Sequence, residues 1–321
     1  MDIILINSSL HDMGVINVDI DIEVGTSEAT NDFEITCPPI SDAYGFYIPG
    51  TEYGGIIERI KAKSDSIEET MSGWTWRGLL TQDIIMPPSG SDYRVVSGDA
   101  NAVIAEILQN MLGGFFTVPG TVSGCTISNY QFPLYVNVLD GIQNMLESYG
   151  YRLSIHAEKP ASGAALAVTV EVVPAVKISG SENEDSPYTV SITDNRMGIN
   201  HLVCMGKGEL QNRQRVDLYV QENGKIGTVK YYTGFLERTA YYDYSSVESL
   251  DELTKHGTER LKELSSSISV SVTVADNYDS EIGDIVTASI AGNVVQTPII
   301  RKTVKITQGV ISTSLKTREV Q

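Results

Sequence analysis

Cysteine is scarce in this sequence, and its distribution excludes a disulfide-linked framework. Only three cysteines occur among 321 residues, at Cys37, Cys125 and Cys204. An odd number without paired spacing is typical of a protein kept in a reducing compartment. The opening residues, MDIILINSSL, also lack the basic segment that begins a secretory signal. We therefore expect a soluble protein that is made in a cytoplasm.

Long hydrophobic runs and an excess of positive charge are also missing. The most apolar stretch, AALAVTVEVVPAV, is too short to span a bilayer and carries Glu171 and Pro174. Lysine and arginine total 23 against 41 aspartates and glutamates, which gives a net charge of −18. A chain this acidic should repel nucleic acid and anionic membranes, and its densest cationic stretch, IERIKAK, is followed directly by SDSIEE. Neither nucleic acid nor a membrane surface is an expected partner.

Motifs for catalysis and cofactor binding are absent as well. The four histidines, His11, His156, His201 and His256, are far apart in the sequence, and no HExxH, HxH or CxxC pattern occurs. Serine is abundant, but GxSxG does not occur. The stretch GKGELQNRQ has neither P-loop nor dinucleotide-binding spacing, so its glycines are expected to kink or bulge a strand. The sequence predicts no catalytic residues, no cofactor and no metal, and hence a protein that is not an enzyme.

Three groups of carboxylates are conceivable glycosidase or calcium sites. The first alternates along a predicted strand and is best interpreted as a solvated face, and the second lies in an acidic loop. The third, within ADNYDSEIGD, has enough oxygen ligands for Ca²⁺ but not the EF-hand spacing, so none of the three is predicted as a site. The groups are Asp19, Asp21 and Glu23; Glu182, Glu184 and Asp185; and Asp276, Asp279 and Glu281.

Periodicity predicts many strands and three helices. INVDIDIEVG alternates apolar and polar residues as a half-buried strand does, and short strands separated by Gly, Pro and Asp follow it. One helix is predicted within SGDANAVIAEILQNMLGG, capped by Asp99 or Ser97 and ended by Gly113 and Gly114. The others lie within VLDGIQNMLESYG and within SSVESLDELTKHGTERLKELSSS, which opens at Ser246. From ISVSVTVAD onward the pattern is β again.

The order of these elements predicts an α+β, β-rich, multi-domain chain. Two small β-barrel-like domains flank an α/β middle region, and the acidic loop SGSENEDSPY is the clearest boundary. The segments GIIERIKAKSDSIEETMSG and PIIRKTVKITQGVISTSLK, which begin at Gly55 and Pro298, resemble each other and suggest equivalent hairpins in the two barrels. The predicted domains are the N-terminal barrel, 1–95; the α/β domain, 96–190; a β-hairpin plus helix region, 191–264; and the C-terminal barrel, 265–321.

Both tryptophans of the chain lie in the stretch SGWTWRGLL. On a strand, Trp74 and Trp76 point to one face and Arg77 to the other. That tryptophan face is either a stacking platform for a ligand or part of a core. Because GLL and then DIIMPP follow, burial of both rings against the first helix is the favoured interpretation.

Four stretches together resemble the baseplate-hub or tail-hub proteins of tailed phages, in particular the ReqiPepy-type siphophage tail family. They are GTEYGGIIERIKAKSD, MSGWTWRGLL, IIMPPSGSDYRVVSGDANAVIAEIL and NHLVCMGKGELQNRQRVDLYV. The resemblance covers about Gly50 to Val220 and weakens towards the C-terminus. Hubs of contractile tails and phage-tail-like bacteriocins are similar in kind, and the sequence does not distinguish contractile from non-contractile tails.

The resemblance implies a homotrimeric hub in the virion tail, assembled in the cytoplasm of the bacterial host. Two similar β-barrel-like domains per subunit would present a pseudo-sixfold ring to a hexameric tail tube, with the 1–95 barrel docking to the tube. The implied partners are the chain itself, the tail tube or distal tail protein, a spike or tip protein and the tape-measure protein. DNA passes through the lumen only transiently, and a negative lumen suits that passage. Arg59 and Arg77 are the candidate interface contacts, because arginine is enriched in interfaces.

Two other functions stay open. The tryptophans suit a carbohydrate- or cell-wall-binding tail module, and the dispersed carboxylates suit a cell-wall hydrolase whose activity would be lost on changing Asp279→Asn. Because the chain stops at Gln321, earlier than tail-tip relatives with fused peptidase or receptor-binding regions, lytic or adhesive activity is expected on separate proteins.

Overall fold

The computed structural model describes residues 2–27, 30–109, 113–161, 163–180, 188–195, 197–247, 249–265, 267–274, 280–290 and 293–318. The chain forms two compact units. Unit 1 contains Met1–Val190 and Ser271–Thr317, and unit 2 contains Ser191–Val270 and Arg318–Gln321. No helix in the described part of the chain is long and apolar enough to cross a membrane.

Most of the regular structure is β. The first strands are β1 (Ile3–Ile6), β2 (Asp12–Ile16), β3 (Asp19–Gly25), β4 (Asp32–Cys37), β5 (Gly45–Tyr47), β6 (Gly54–Ala62), β7 (Glu69–Thr75) and β8 (Val95–Asp99). The next are β9 (Phe116–Thr117), β10 (Thr126–Gln131), β11 (Tyr151–Glu158), β12 (Ala167–Pro174), β13 (Lys177–Gly180) and β14 (Tyr188–Asn195). The last are β15 (His201–Met205), β16 (Arg215–Val220), β17 (Ile226–Gly227), β18 (Thr239–Asp243), β19 (Ser267–Val274), β20 (Ile285–Ile290), β21 (Asn293–Thr307) and β22 (Val310–Thr317). The helices are α1 (Trp76–Leu79), α2 (Ala100–Leu108), α3 (Val138–Ser148) and α4 (Leu250–Leu264).

Unit 1 is built on a large, curled half-barrel sheet with the order β22-β21-β3-β4-β7-β6-β5-β1-β2. Apolar and polar residues alternate along its strands, so that one face of the sheet is buried. In β3, Ile20, Ile22 and Val24 are buried while Asp19 and Asp21 are exposed. The neighbouring β4 repeats the pattern. The alternation read from INVDIDIEVG is therefore confirmed as a half-buried strand. The face that carries the acidic residues is called the outer face below.

The C-terminal strands complete the N-terminal sheet. Strand β21 pairs antiparallel with β3, and Val304 lies opposite Ile22 on the buried face. The predicted domains 1–95 and 265–321 therefore contribute strands to one sheet in unit 1, a division that differs from the predicted domain borders. The pairing joins residues almost the whole chain apart, which local sequence patterns do not encode. The two similar hairpins, β6–β7 and β21–β22, lie in this one sheet with β3 and β4 between them.

An α/β layer forms the rest of unit 1. Strands β11 and β12 pair antiparallel, β9 adds to β12 in parallel, and α2 and α3 share their apolar core. Asp99 caps α2, since its Oδ1 accepts the Asn101 N–H at 3.0 Å, and Asn137 caps α3. Both predicted helices are confirmed. The helical assignment of α2 ends at Leu108, and residues 110–112, just before the predicted end at Gly113 and Gly114, lie outside the described residues. The core of this layer includes Trp76, Ile104, Ile142, Ile155 and Val170.

Unit 2 contains a four-stranded sheet with the order β17-β16-β15-β18, packed against α4. The helix buries Leu253 and Leu261, whereas Leu250 is exposed. Its N-cap is Ser249, not the predicted Ser246, because the Ser249 hydroxyl accepts the Glu252 N–H. Gly206 and Gly208 of the GKG stretch do not bulge a strand, because they follow the end of β15 in the loop that leads to β16.

The two tryptophans lie on different sides of the chain. Strand β7 ends at Thr75, whose hydroxyl accepts the Gly78 N–H and so starts the single turn α1. Trp76, within this turn, is completely buried and lies 5.7 Å from Phe115 between ring centroids. Trp74 is still on the strand, half-buried, opposite the exposed Asp32 on the outer face. The core interpretation is thus confirmed for Trp76, and the half-buried Trp74 also packs against the same core. The prediction that both rings share one face is wrong because the strand ends between them.

Helix α4 touches its sheet through a glycine, which gives a direct test of the unit 2 packing. A Cβ on Gly257 would lie 2.5 Å from Cys204 Sγ and 2.9 Å from Leu218 Cδ1. We expect Gly257→Ala to destabilise unit 2 by about 1–3 kcal/mol, although alanine favours the helix by about 1 kcal/mol. Hydrogen exchange of the β15 and β16 amides measures this change.

Gly227→Ala is the control for this prediction, because the added Cβ meets only Gln221 at an ordinary 3.6 Å. Exchange rates for Gly257→Ala that match those of the unmodified chain would show that α4 is not held at this contact.

Candidate functional site

Most of the charged side chains considered above as site candidates, where the structure describes them, form ion pairs or hydrogen bonds within the chain. In the described ranges no group of three or more His, Cys, Asp and Glu side chains is placed to hold a metal. The calcium and hydrolase candidates Asp276 and Asp279, like Glu182, Glu184 and Asp185, lie outside the described residues. The remaining member of the third group, Glu281, lies in a large cleft of unit 1.

This cleft has a volume of about 840 Å³ and lies between the buried side of the large sheet and the α/β layer. Strand β11 sends Leu153 and Ile155 into the core, so its alternate residues Arg152, Ser154 and His156 line the cleft. The turn before β6, the helix α1, strand β21 and strand β22 supply the other walls. Their lining residues include Glu52, Tyr53, Arg77, Lys302, Ile311 and Thr313.

A buried ion pair joins two walls of the cleft, the turn before β6 and the helix α1. Arg77 and Glu52 are 2% and 6% exposed, and both Nε and Nη2 of Arg77 donate to Glu52 Oε2, at 3.0 and 2.7 Å. Arg77 Nη2 also lies 3.4 Å from the Leu153 carbonyl oxygen. The other carboxylate oxygen, Glu52 Oε1, is buried without a hydrogen-bond partner in the described structure. One guanidinium thus ties the turn at Glu52 to α1 and β11.

A second ion pair connects the C-terminal strands to the same cleft. Lys302 Nζ donates to Glu281 Oε1 at 2.8 Å and to the Ser280 carbonyl at 2.9 Å, and lies 5.4 Å from the centroid of the Tyr53 ring. Burial first, and then the charge of Glu52, raises the pKa of Glu281. Burial opposes the charge of Lys302, but the attraction of Glu281 and Tyr53 outweighs it and raises the lysine pKa. Burial also raises the pKa of Tyr53 to about 12.

A third ion pair joins β11 to the residue just before β20. Arg152 Nε donates to Asp284 Oδ1 at 2.7 Å, and the fully buried Asp284 also accepts the Val176 and Glu281 N–H groups. The acidic side chains of the cleft walls are therefore engaged with cations of this same chain. We interpret the cleft cluster as a structural clamp that joins N-terminal, middle and C-terminal segments of unit 1.

The outer face of the large sheet is organised differently, in stripes of charge. Strands β3 and β4 carry acidic residues on this face, and the basic residues of β21 lie on one side of them. Lys305 pairs with Asp21 at 2.7 Å, and Arg301 lies 3.5 Å from Glu23. On the other side of the acidic stripe, β6 presents Arg59.

The two arginines predicted as interface contacts have different environments. Arg77 is buried and bound to Glu52 of its own chain. Arg59 is exposed on the outer face, opposite Ser72, and it follows a β-bulge at Glu58. An interface contact by either residue stays a prediction, and only Arg59 offers an exposed guanidinium for it.

The exposed end of hairpin β6–β7, residues 58–68, is called the arm below. Every residue from 58 to 68 is exposed, along the second half of β6 and the turn that follows, whereas β7 is half-buried or buried and pairs with β4. The arm presents Ile60 at 51% and Ile67 at 88% exposure. Large apolar side chains exposed at the edge of a sheet are typical of a surface that docks on a partner.

Unit 2 has a polar cluster of its own, which the sequence patterns did not reveal. His201 stacks on Tyr219 with a centroid distance of 4.3 Å, and its Nε2 and Nδ1 lie 2.9 and 3.0 Å from Asp217 Oδ1 and Glu237 Oε1. Both nitrogens can donate to both carboxylates only in the protonated imidazolium. Hydrogen bonds from Arg215 chiefly lower the pKa of Asp217, and those from Lys230 lower that of Glu237.

Several solved structures are similar to this chain along nearly its whole length. The tail protein from Neisseria meningitidis MC58 is 12% identical, over 98% of this chain and 95% of that one, with a TM-score of 0.45. The 43 kDa tail protein of prophage MuSo2 from Shewanella oneidensis is 14% identical, over 99% and 98%, with a TM-score of 0.46. The phage P2 baseplate in its activated conformation with Ca is 11% identical, over 99% of this chain and 98% of that one, with a TM-score of 0.42. No protein-family model and no curated protein matches the chain.

These names agree with the resemblance to phage tail hub proteins that the sequence carries. Because the identities and TM-scores are low, what this chain does has to follow from its own residues.

The clamp can be tested at Arg77. We expect Arg77→Ala to destabilise unit 1 by about 3–5 kcal/mol, since it leaves the buried Glu52 carboxylate without its cation. Arg94→Ala is the matched control, because Arg94 pairs with the exposed Glu106, and such pairs contribute about 0–1 kcal/mol. Urea denaturation followed by tryptophan fluorescence gives both values.

The double variant Glu52→Leu/Arg77→Met separates lost charge from lost packing. Removing both charges should recover much of the stability, since apolar replacements of buried pairs are often neutral. Equal losses for Arg77→Ala and Arg94→Ala would show that the clamp does not hold the unit together.

Proposed function

We propose that this chain is a structural, non-enzymatic subunit of a phage tail or tail-like particle. In this proposal three copies form the hub that joins the hexameric tail tube to the spike or tip. The sequence resemblance to tail-hub proteins supports this role. The observation that carries it is the arm at the end of hairpin β6–β7, which exposes Ile60 at 51% and Ile67 at 88%.

The arrangement of hairpins supports a threefold assembly on a sixfold tube. Each chain has two similar hairpins, β6–β7 and β21–β22, in one sheet. Three chains therefore carry six such hairpins, one for each subunit of a hexameric ring. In this proposal the hairpins and their flanking strands are the docking modules expected from the two barrel-like domains. A closed ring repeats one heterologous contact three times, as cyclic oligomers do.

The remaining partners follow from the same proposal. A distal tail protein can replace the tube as the partner above the hub, and the tape-measure protein reaches it through the lumen. The acidic composition, with a net charge of −18, suits a lumen that DNA passes without binding. Assembly takes place in the cytoplasm of the bacterial host, and the mature location is the virion tail.

Light scattering across a concentration series tests the ring. We expect a mass of three times the 35.0 kDa of one chain. Ile60→Ser/Ile67→Ser should shift the monomer–trimer midpoint to at least about tenfold higher concentration, because each buried isoleucine contributes about 1.5–3 kcal/mol.

Val122→Ser is the control, because Val122 is 82% exposed in the loop between β9 and β10. A chain that stays monomeric at every concentration, and also when mixed with its tail tube protein, would contradict the trimeric hub. An arm variant that trimerises like the control would contradict the role of the arm.

A further inference from the structure

The outer face of the large sheet contains a recess beside Trp74. Its volume is about 170 Å³, and it is lined by Asp32, Glu58, Arg59, Ser72, Gly73 and Trp74. Trp74 is half-buried, since it packs against the apolar core of unit 1, and it also lines this recess on the polar face of the sheet. The space is sufficient for the end of one side chain and too small for a helix or strand.

Strand register fixes the neighbours of Trp74. Asp32 lies directly opposite it on β4, and Ile56 opposite it on β6. Directly opposed residues of this kind have Cβ atoms about 4.5–5.5 Å apart. Trp74 therefore has a carboxylate immediately beside its ring.

A β-bulge brings a second carboxylate to the recess. Between Ile57 and Arg59 the register with β7 shifts, and Glu58 is the extra residue. The bulge is possible because Gly73 lies opposite it, where a Cβ would be 2.0 Å from the Ile56 carbonyl oxygen and 2.9 Å from the Glu58 nitrogen. Bulges commonly redirect a side chain in this way.

The indole is held in place from behind. A Cβ on Gly78 would lie 3.0 Å from Cε3 of Trp74, so the ring packs closely against the backbone of α1. The recess wall is thus a rigid aromatic surface.

The charges around the ring are unmatched. Elsewhere on the outer face Asp21 and Glu23 have basic partners. Within the described residues Asp32, Glu58 and Arg59 take part in no ion pair, and two carboxylates against one guanidinium leave the recess with a net charge of −1.

We propose that this recess binds the guanidinium or ammonium group of an arginine or lysine side chain from a partner protein. The cation packs on the indole of Trp74, and Asp32 and Glu58 accept its hydrogen bonds. Arginine fits best, because its planar group both stacks on an aromatic ring and donates to carboxylates. The inference deepens the proposed function, since the partner is then a neighbouring tail protein that docks on the outer face.

The test uses the indole N–H signals of the full chain, which contains two tryptophans. Heteronuclear NMR resolves the two indoles, and Trp74→Phe assigns them. The probes are acetyl-Gly-Arg-Gly-amide, its citrulline counterpart, which has the same shape without the charge, and an N-acetylglucosamine trimer.

We expect the arginine peptide to shift the Trp74 signal saturably with a Kd of about 1 mM, corresponding to about −4 kcal/mol. The citrulline peptide should shift it at least about fivefold less at equal concentration, and the Trp76 signal should stay fixed. Asp32→Asn/Glu58→Gln should weaken arginine binding at least about fivefold, as expected for charge-assisted hydrogen bonds. Asp19→Asn/Asp21→Asn, which removes two charges from the neighbouring strand β3, should leave it unchanged.

Three outcomes overturn the inference. They are no Trp74 shift up to about 20 mM arginine peptide, equal shifts with arginine and citrulline, or a saturable shift with the sugar alone, which would indicate a glycan site instead. The result is independent of the trimer. A monomeric chain that binds the arginine peptide would support the recess as a binding site and contradict the trimeric ring. A trimeric chain whose Trp74 signal does not respond would support the ring and contradict the binding site.

Discussion

The antiparallel pairing of β21 with β3 is the constraint on which unit 1 depends. It places Lys302 beside Val24 on the buried side and Lys305 beside Asp21 on the outer side. The approach is close, since a Cβ on Gly25 would lie 2.8 Å from the Ile300 carbonyl oxygen. Without this pairing Lys302 could not reach Glu281 and Tyr53 across the cleft, and the outer face would lose one of its basic stripes. The polar clamp and the charge pattern are two consequences of one backbone ladder.

Sequence patterns predicted helices and strands well where residues close together in the sequence determine them. Strand β3 follows from alternation, and α2 follows from the Asp99 cap and an apolar stripe. The same patterns did not predict that the N- and C-terminal strands pair in one sheet. An apolar residue such as Ile22 is predicted to be buried, but its local sequence does not identify Val304 as the residue opposite it. Ser246 and Ser249 are equally good caps by composition, and only the packing of Leu253 and Leu261 on the unit 2 sheet decides between them.

The candidate sites show the same limit at the level of single side chains. Arg59 and Arg77 look alike in sequence, and both adjoin apolar residues. Arg77 is buried because a turn 25 residues earlier brings Glu52 to it, whereas Arg59 stays exposed because a bulge turns it outward. The tryptophans separate for a comparable reason. Thr75 ends a strand by capping the next turn, and period-two reasoning cannot anticipate that change.

The two hairpins of one chain are mechanically coupled. Between β7 and β21 there are only β4 and β3, all joined by antiparallel hydrogen-bond ladders. One hairpin therefore cannot move away from the sheet without stretching the ladders that hold the other. A force on one hairpin is therefore carried to the other through a continuous hydrogen-bonded sheet.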